Sequence, residues 1–385
     1  MADFFEKLIA TITAAIMTWY VGIGGALVIP VKVKMNTAPV VFDVGEENYA
    51  IMWHTNTKGT GSVTINVKGE EKTYWDATSG TINSKDTLHV VKIKKAILDE
   101  AKSYQVHSEF VLFSVGYFAI KGPKVSSESY NFKPYDPAQN VIRALSVADI
   151  HGEHSNAEAA TKVLLDDAGA PADFVILNGD ISRDWLLTQN DFVDEILVIA
   201  QKLSKSGIPV IYARGNHETR GQWATEMIDY FPTDTGHLYF ETSYGPIKML
   251  VLDTGEDKPD DHYEYAGLAD FATYLAEERA WIENLKKDEN ESIQYRFTIS
   301  HKHNIDTEFG ENWTIPLVPL GTQFIFCGHG HHNSLRAADE TGIPFFEDGG
   351  QPTASLITFK DGDITAKTAY ADGALTDWGD ITTVD

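Results

Sequence analysis

The chain contains a single cysteine, Cys327, in 385 residues. One thiol excludes an intrachain disulfide framework and a cysteine-based zinc site. At the end of an apolar run, it reads as a small buried residue. Basic residues are also scarce: 31 Lys and Arg stand against 56 Asp and Glu, a formal net charge of −25. Non-specific nucleic-acid binding rests on clustered Lys and Arg that neutralise phosphates, so no nucleic-acid partner is expected. An anionic substrate would be repelled at long range unless bound cations reversed the field locally. Internal repeats and low-complexity tracts are missing. The content, 43% hydrophobic, 11% aromatic and 23% charged, is that of a globular chain.

One long uncharged run is present, Leu8 to Val31, and it is long enough to span a bilayer. Asp3 and Glu6 outweigh Lys7 before it, which argues against a secretory leader. Lys32 and Lys34 follow it and would keep the C-terminal side of a span cytoplasmic. Phe5, Leu8, Ile9, Ile12, Ile16 and Trp19 recur at helical spacing, and Gly22, Gly24 and Gly25 then break the pattern. Residues 1–30 are therefore expected to be an apolar helical segment docked on the protein. Membrane contact through residues 8–31 is the alternative. A cytoplasmic location is favoured, with a membrane-associated or cell-surface one as the alternative.

Residues 31–138 read as all-β. Val63, Ile65 and Val67 alternate with Thr64 and Asn66, and Val91 and Ile93 alternate with Lys92 and Lys94. Tyr104, Val106, Phe110 and Leu112 are assigned to one face of a further strand. Turn-rich stretches such as Thr57–Gly61 and Thr78–Lys85 separate these runs. The spacing predicts a β-sandwich with Trp53 and Tyr104 in its core. The segment resembles a fibronectin type III module. Lys133-Pro134-Tyr135-Asp136-Pro137 reads as a linker.

From residue 139 to 385 strands alternate with helices, an α/β pattern. Strands are expected at Ala144–Ala148, Phe174–Leu177, Ile208–Tyr212, Lys248–Leu252, Tyr295–Ile299 and Gln323–Phe326. Helices are expected at Ala157–Ala168, Asp191–Lys205, Gln222–Tyr230 and Asp270–Lys287. Five polar segments sit where apolar runs end: Asp149-Ile150-His151, Gly179-Asp180, Gly215-Asn216-His217-Glu218, Ser300-His301 and Gly328-His329-Gly330-His331. Ligands of α/β sheets gather beyond the carboxyl ends of strands, so these carboxylates, amides and imidazoles are expected to converge. Mixed oxygen and nitrogen donors suit borderline divalent metals.

In this order the five segments resemble the signature of the calcineurin-like metallophosphoesterases. The resemblance spans about residues 143–370 and implies a four-layer α/β/β/α sandwich with a two-metal centre. It assigns Asp149, His151, Asp180 and His331 to one metal. Asp180, Asn216, His301 and His329 go to the other, with Asp180 bridging. It makes His217 the acid that protonates the leaving oxygen after a metal-activated hydroxide attacks phosphorus. His303 and His332 compete with His301 and His331, which are preferred for their strand-end position and His-x-His spacing. Glu218 is a candidate to support this group from behind.

The fibronectin-like segment before such a domain resembles the layout of purple acid phosphatases. Their ferric-binding Tyr is replaced here by Arg183, so an iron–tyrosinate site is not expected. In the Ser/Thr phosphatase branch an Asp at that position supports the acid His. Asp184 lies one residue further on, which leaves the support of His217 open. Arg183, Arg214, Arg220 and His154 flank the motifs as candidate substrate contacts. The expected activity is phosphoester hydrolysis with two divalent ions (Mn, Fe or Zn), and phosphomonoesters are favoured over diesters. A phosphodiesterase and a non-catalytic metal-binding recognition module are the alternatives.

Overall fold

The computed structural model describes residue 11 and residues 32–115, 118–307, 310–350 and 353–384. The apolar segment expected at residues 1–30 lies outside them, residue 11 apart. Among the described residues no helix is long and apolar enough to cross a membrane.

The first part of the chain forms β1 (Val40–Asp43), β2 (Asn48–His54), β3 (Gly59–Val67), β4 (Glu70–Trp75), β5 (Ala77–Thr78) and β6 (Thr81–Ile82). It continues through β7 (Leu88–Lys94), helix α1 (Lys95–Ala101), β8 (Ser103–Val115), β9 (Phe118–Ser126) and β10 (Tyr130–Asn131). Next come β11 (Val141–Val147), α2 (His154–Ala168), β12 (Phe174–Asn178) and α3 (Gln189–Phe192). A π-turn at Val193–Leu197 leads from α3 into α4 (Val198–Ser204) and β13 (Val210–Ala213). The last part carries β14 (Phe240–Tyr244), β15 (Ile247–Val251), α5 (Phe271–Asn284), β16 (Tyr295–Ile299), β17 (Phe324–Cys327) and β18 (Asn333–Ala337). It ends with β19 (Pro344–Asp348), β20 (Thr353–Lys360), β21 (Asp363–Tyr370) and β22 (Leu375–Asp380).

Two sheets face each other at the centre. One has nine strands in the order β22-β21-β20-β11-β12-β13-β1-β2-β7. The other has six, β14-β15-β16-β17-β19-β18. The inner strands are buried on both faces, and alternation decides which layer each side chain joins. Ile142, Ala144, Phe174, Ile176, Ile211 and Ala213 point between the sheets and meet Met249, Val251, Phe297, Ile299, Phe324 and Phe326. Their neighbours Leu145, Val147, Val175, Leu177, Val210 and Tyr212 face the other way, onto Ala157, Ala160 and Leu164 of α2 and Ile199 and Leu203 of α4. The outer face of the six-stranded sheet packs Leu250, Ile325 and Cys327 against Leu275 and Ile282 of α5. The layers therefore run helix, sheet, sheet, helix.

The N-terminal part departs from expectation. β1 pairs in parallel with β13, and β1, β2 and β7 form one edge of the nine-stranded sheet. A second sheet, β10-β8-β3-β4 with β9 beside β8, covers this edge. Trp53 and Tyr104 are buried between the two with Val41, Ile51, Val63, Ile65, Val91 and Val106. Residues 31–138 thus have two facing sheets, but one of them is continuous with the layer that follows residue 139. A self-contained fibronectin type III-like sandwich is therefore not shown. The segment expected as a linker is tied to the layers that follow it. Lys133 pairs with Asp173 at 2.6 Å, and Tyr135 packs edge-on against Tyr244.

Two local expectations also change. The pairing of β8 with β9 shifts register near Glu109–Val111. A second shift between Val111 and Phe113 restores the register, so the disturbance is local to Val111. Val111 is accordingly buried and Leu112 is 39% exposed. The helix expected at Gln222–Tyr230 is a series of turns with a 3₁₀ segment at Met227–Tyr230. Its apolar residues Trp223, Met227 and Tyr230 plug the core beside Phe192 and Phe231 all the same.

Candidate metal centre

Asp149 and His151 follow β11, Asp180 follows β12, and Asn216 follows β13. His301 follows β16, and His329 and His331 lie between β17 and β18. Strand ends from both sheets therefore meet at one rim. The backbone there is unusual. Asp149, His151, Asp180, His329 and His331 all have positive φ, between 43° and 74°. Non-glycine residues avoid this region at a cost of order 1–3 kcal/mol each, and such strain gathers at functional sites. The adjoining glycines relieve crowding. A Cβ on Gly179, whose φ is +75°, would strike the His301 ring, and one on Gly215 would strike the backbone and carboxylate of Asp180.

The side chains form two groups with one member in common. Ligand atoms of Asp149, His151, Asp180 and His331 lie within 4.8 Å of one another, as do those of Asp180, His301 and His329. Asp180 belongs to both. His301 Nε2 is 3.3 Å from Asp180 Oδ1 and 3.9 Å from Asp149 Oδ1. His331 Nε2 is 3.5 Å from Asp149 Oδ1 and 3.2 Å from His151 Nε2. The Asn216 amide oxygen is 2.9 Å from His329 Nδ1 and faces only acceptors. Turning the amide over would satisfy it by hydrogen bonds, with its oxygen then accepting from Arg220 at 2.9 Å. A cation among these lone pairs would satisfy the oxygen as it stands, with the amide nitrogen still facing Arg220.

The electrostatics fit a cation. Burial raises Asp149 well above the usual carboxylate range, with Asp180 adding to the effect against the pull of His301. Burial would raise Asp180 too, but His301 and His217 hold it well below that range. Burial disfavours charge on His301, yet the carboxylates of Asp180 and Asp149 push it up to about 10. The lowered Asp180 is thus paired with positive charge on His301, and a cation beside Asp149 would offset the burial that disfavours its charged form. The remote ring nitrogens are committed in the manner of metal-bound imidazoles. His301 Nδ1 donates to the Asn178 carbonyl at 2.7 Å, and His151 Nδ1 lies 3.3 Å from the Arg183 carbonyl.

Glu218 braces the rim from below. It is fully buried, and its carboxylate accepts the backbone N–H groups of Asp180 (3.0 Å), Ser182 (2.7 Å) and Gly215 (2.8 Å). His217 stands over Asp180, its Nε2 3.6 Å from Oδ2. Its Nδ1 donates to the backbone carbonyl of Arg183 at 2.8 Å. The open question of what supports His217 is answered by a main-chain oxygen. No side-chain pattern could have signalled it.

The flanking candidates divide. Arg214 is taken up by Asp253 through Nε and Nη2 at 2.9 and 2.8 Å, and Arg220 by Glu256 in the same bidentate way. His154 donates Nε2–H to the Glu195 carbonyl at 2.8 Å. These three are framework contacts and not free substrate grips. Arg183 is exposed, and its guanidinium lies over Gly152. His303 stacks on His329 with 5.5 Å between ring centroids, and His332 pairs with Glu347 at 3.1 Å. Neither joins a ligand group among the described residues.

Residues 142–333, which include every candidate ligand above and His217, match the calcineurin-like phosphoesterase family. The chain carries a calcineurin-like phosphoesterase domain. This is the domain of a metal-dependent phosphoric ester hydrolase. No curated relative matches the chain in sequence. Among solved structures it is similar to a cold-active protein-tyrosine phosphatase of a psychrophilic Shewanella species, at 14% identity and a TM-score of 0.30. That likeness covers 82% of this chain and 97% of the other. A sulfate thiohydrolase of Thermus thermophilus is 14% identical over 64% of this chain and 58% of its own, with a TM-score of 0.37. A phosphatase from Mycoplasma pneumoniae is 12% identical over 63% and 95%, with a TM-score of 0.34. TM-scores this low decide nothing about substrate.

Proposed function

We propose that the chain hydrolyses phosphate esters at a centre of two divalent cations, Mn, Fe or Zn, with phosphomonoesters favoured. The observation that carries this reading is the pair of ligand groups sharing Asp180, with His217 beside the shared carboxylate. Asp149, His151 and His331 would hold one cation, Asn216, His301 and His329 the other, and Asp180 both. When bound, such ions supply positive charge that polarises the phosphoryl group and makes water a nucleophile near neutral pH.

The protein's own groups do the rest. His217 protonates the leaving oxygen from Nε2. Its Nδ1–H is held by the Arg183 carbonyl, which keeps Nε2 turned towards Asp180. The Arg183 guanidinium makes no ion pair among the described residues. It is the cation left at the rim to meet non-bridging phosphate oxygens, which matters in a chain of net charge −25.

The test is to count metals in the purified protein and to assay a chromogenic phosphomonoester beside a phosphodiester with Mn²⁺, Zn²⁺ or Fe²⁺. Two metals per chain and faster monoester turnover are expected. Less than one metal per chain after reconstitution, with no turnover, overturns the reading. Faster diester turnover overturns the monoester preference alone.

A further inference from the structure

Helices α3 and α4 would be one helix but for the π-turn Val193–Leu197 between them. A π-turn widens the helix and displaces its carbonyls from the regular ladder, and such turns recur at functional sites. Glu195 sits within this one, and both its ends are used. Its carbonyl accepts from His154 Nε2 at 2.8 Å. Its carboxylate accepts the backbone N–H of Arg183 at 2.6 Å, a charge-assisted bond stronger than a neutral one. The next group along the chain from that N–H is the Arg183 carbonyl, which receives His217 Nδ1 at 2.8 Å and His151 Nδ1 at 3.3 Å.

We propose that Glu195 is a positioning residue for His217, acting through the backbone of Arg183 to fix the tautomer and direction of the imidazole. This rests on the reading of His217 as the acid. The segment 181–187 that carries Arg183 has little regular structure, and Arg183, Asp184, Trp185 and Leu187 are exposed. Unanchored, an exposed loop of this kind samples many backbone orientations. Glu195 removes that freedom at one residue, and His154 in turn ties the π-turn to the start of α2. The ring nitrogen that carries the proton is set by the hydrogen bond its partner nitrogen makes. A fixed carbonyl at Nδ1 keeps one proton there, so the proton the imidazolium gives to the leaving oxygen is the one on Nε2, facing the candidate metal ligands, and the Nδ1–H tautomer is left behind. The family position that elsewhere offers a side-chain carboxylate offers a main-chain oxygen here, and Glu195 makes that oxygen rigid.

The test reads tautomer and rate separately, on the full chain labelled with ¹⁵N at histidine and reconstituted with zinc. His217 signals are assigned by their loss in His217→Gln. The wild-type imidazole is expected to show protonated Nδ1. Glu195→Ala should give a mixture of tautomers and lower kcat for a chromogenic phosphomonoester by about tenfold or more, with KM and zinc content near the wild-type values. Glu195→Gln keeps an acceptor for the Arg183 N–H and should restore both tautomer and rate. If Glu195→Ala does not fold, Glu195→Asp, one methylene short, should show the same mixture. An unchanged Nδ1–H signal in the folded variant, or loss of zinc in place of the tautomer change, overturns the proposal. A wild-type protein without turnover overturns the acid reading and leaves the tautomer measurement to decide the positioning role.

Discussion

Asp180 is the one residue that belongs to both ligand groups, so its replacement should be felt twice. Asp180→Asn is expected to lower metal content at both positions and the rate by more than about a thousandfold. Loss of one metal with the other retained would show that the carboxylate is not shared. His217→Ala should behave differently. It should reduce kcat by about 10²–10⁴-fold with metal content near normal, and a metal-depleted variant would make His217 a ligand and not an acid. Glu218 works at longer reach. Its side chain satisfies three buried N–H groups of the ligand turns, and each left unpaired costs about 1–3 kcal/mol. Glu218→Ala should therefore lower the stability of the metal-free protein by at least about 3 kcal/mol in denaturant titration. The sequence signalled these residues because each sits in a short motif after an apolar run. It could not signal the carbonyls of Arg183 and Asn178 or the role of Glu195, because main-chain acceptors carry no residue code. The free Arg183 and the engaged Arg214 and Arg220 are told apart only by Asp253 and Glu256, which reach them from another loop.

Among the elements, strands such as β12, β13 and β17 were legible because four apolar residues in a row leave little choice. The failures occurred where local pattern and packing disagree. The irregularity in β8 buried Val111 and exposed Leu112 without any Gly or Pro in that strand to announce it. Trp223, Met227 and Tyr230 have helical spacing but are held by core contacts in a turn. β7 carries a further consequence. His89 is fully buried, its Nε2 3.0 Å from Thr55 Oγ1, and burial, with His54 adding to it, lowers its pKa to about 3. A histidine neutral in the folded state and protonated in the unfolded chain contributes stability above pH 6.5. That contribution is lost as pH falls from there towards 3. His89→Phe removes this dependence while keeping a ring beside Trp53. Between about pH 7 and about pH 4.5 the variant should lose less stability than the wild type, by up to about 2 kcal/mol. Equal losses in urea titrations would mean that His89 is protonated in the folded protein. Asp76, 3.9 Å from His89 Nδ1 and raised by burial to about 6, acts in the opposite sense in both proteins and cancels in the comparison.

For the molecule as a whole, the junction of β1 with β13 matters most. It makes residues 40–54 and 88–94 part of the layer that carries Asp149, Asp180 and Asn216. Removing residues 1–138 would take Val40, Phe42 and Met52 out of the core and uncover the edge of β13 with their core neighbours Val210, Tyr212 and Phe231. An unpaired apolar edge of this kind aggregates. The full chain should thus unfold in one calorimetric transition, and a fragment starting at residue 139 should be insoluble. Two separated transitions, or a soluble folded fragment, would restore the two-domain view. The composition hinted at two folding patterns, all-β and then alternating, and that difference in pattern is real. Whether it coincides with a boundary depends on the pairing of Phe42 with Val210, 168 residues further on (210 − 42), which local periodicity cannot encode. By itself the sequence determined the chemistry: the residue types, their order, and their placement after strands, because ligand identity and strand-end position are local properties. Tertiary structure decided which arginine stays free, what holds His217, and where one layer ends. Those outcomes depend on long-range contacts and main-chain atoms that no stretch of sequence contains.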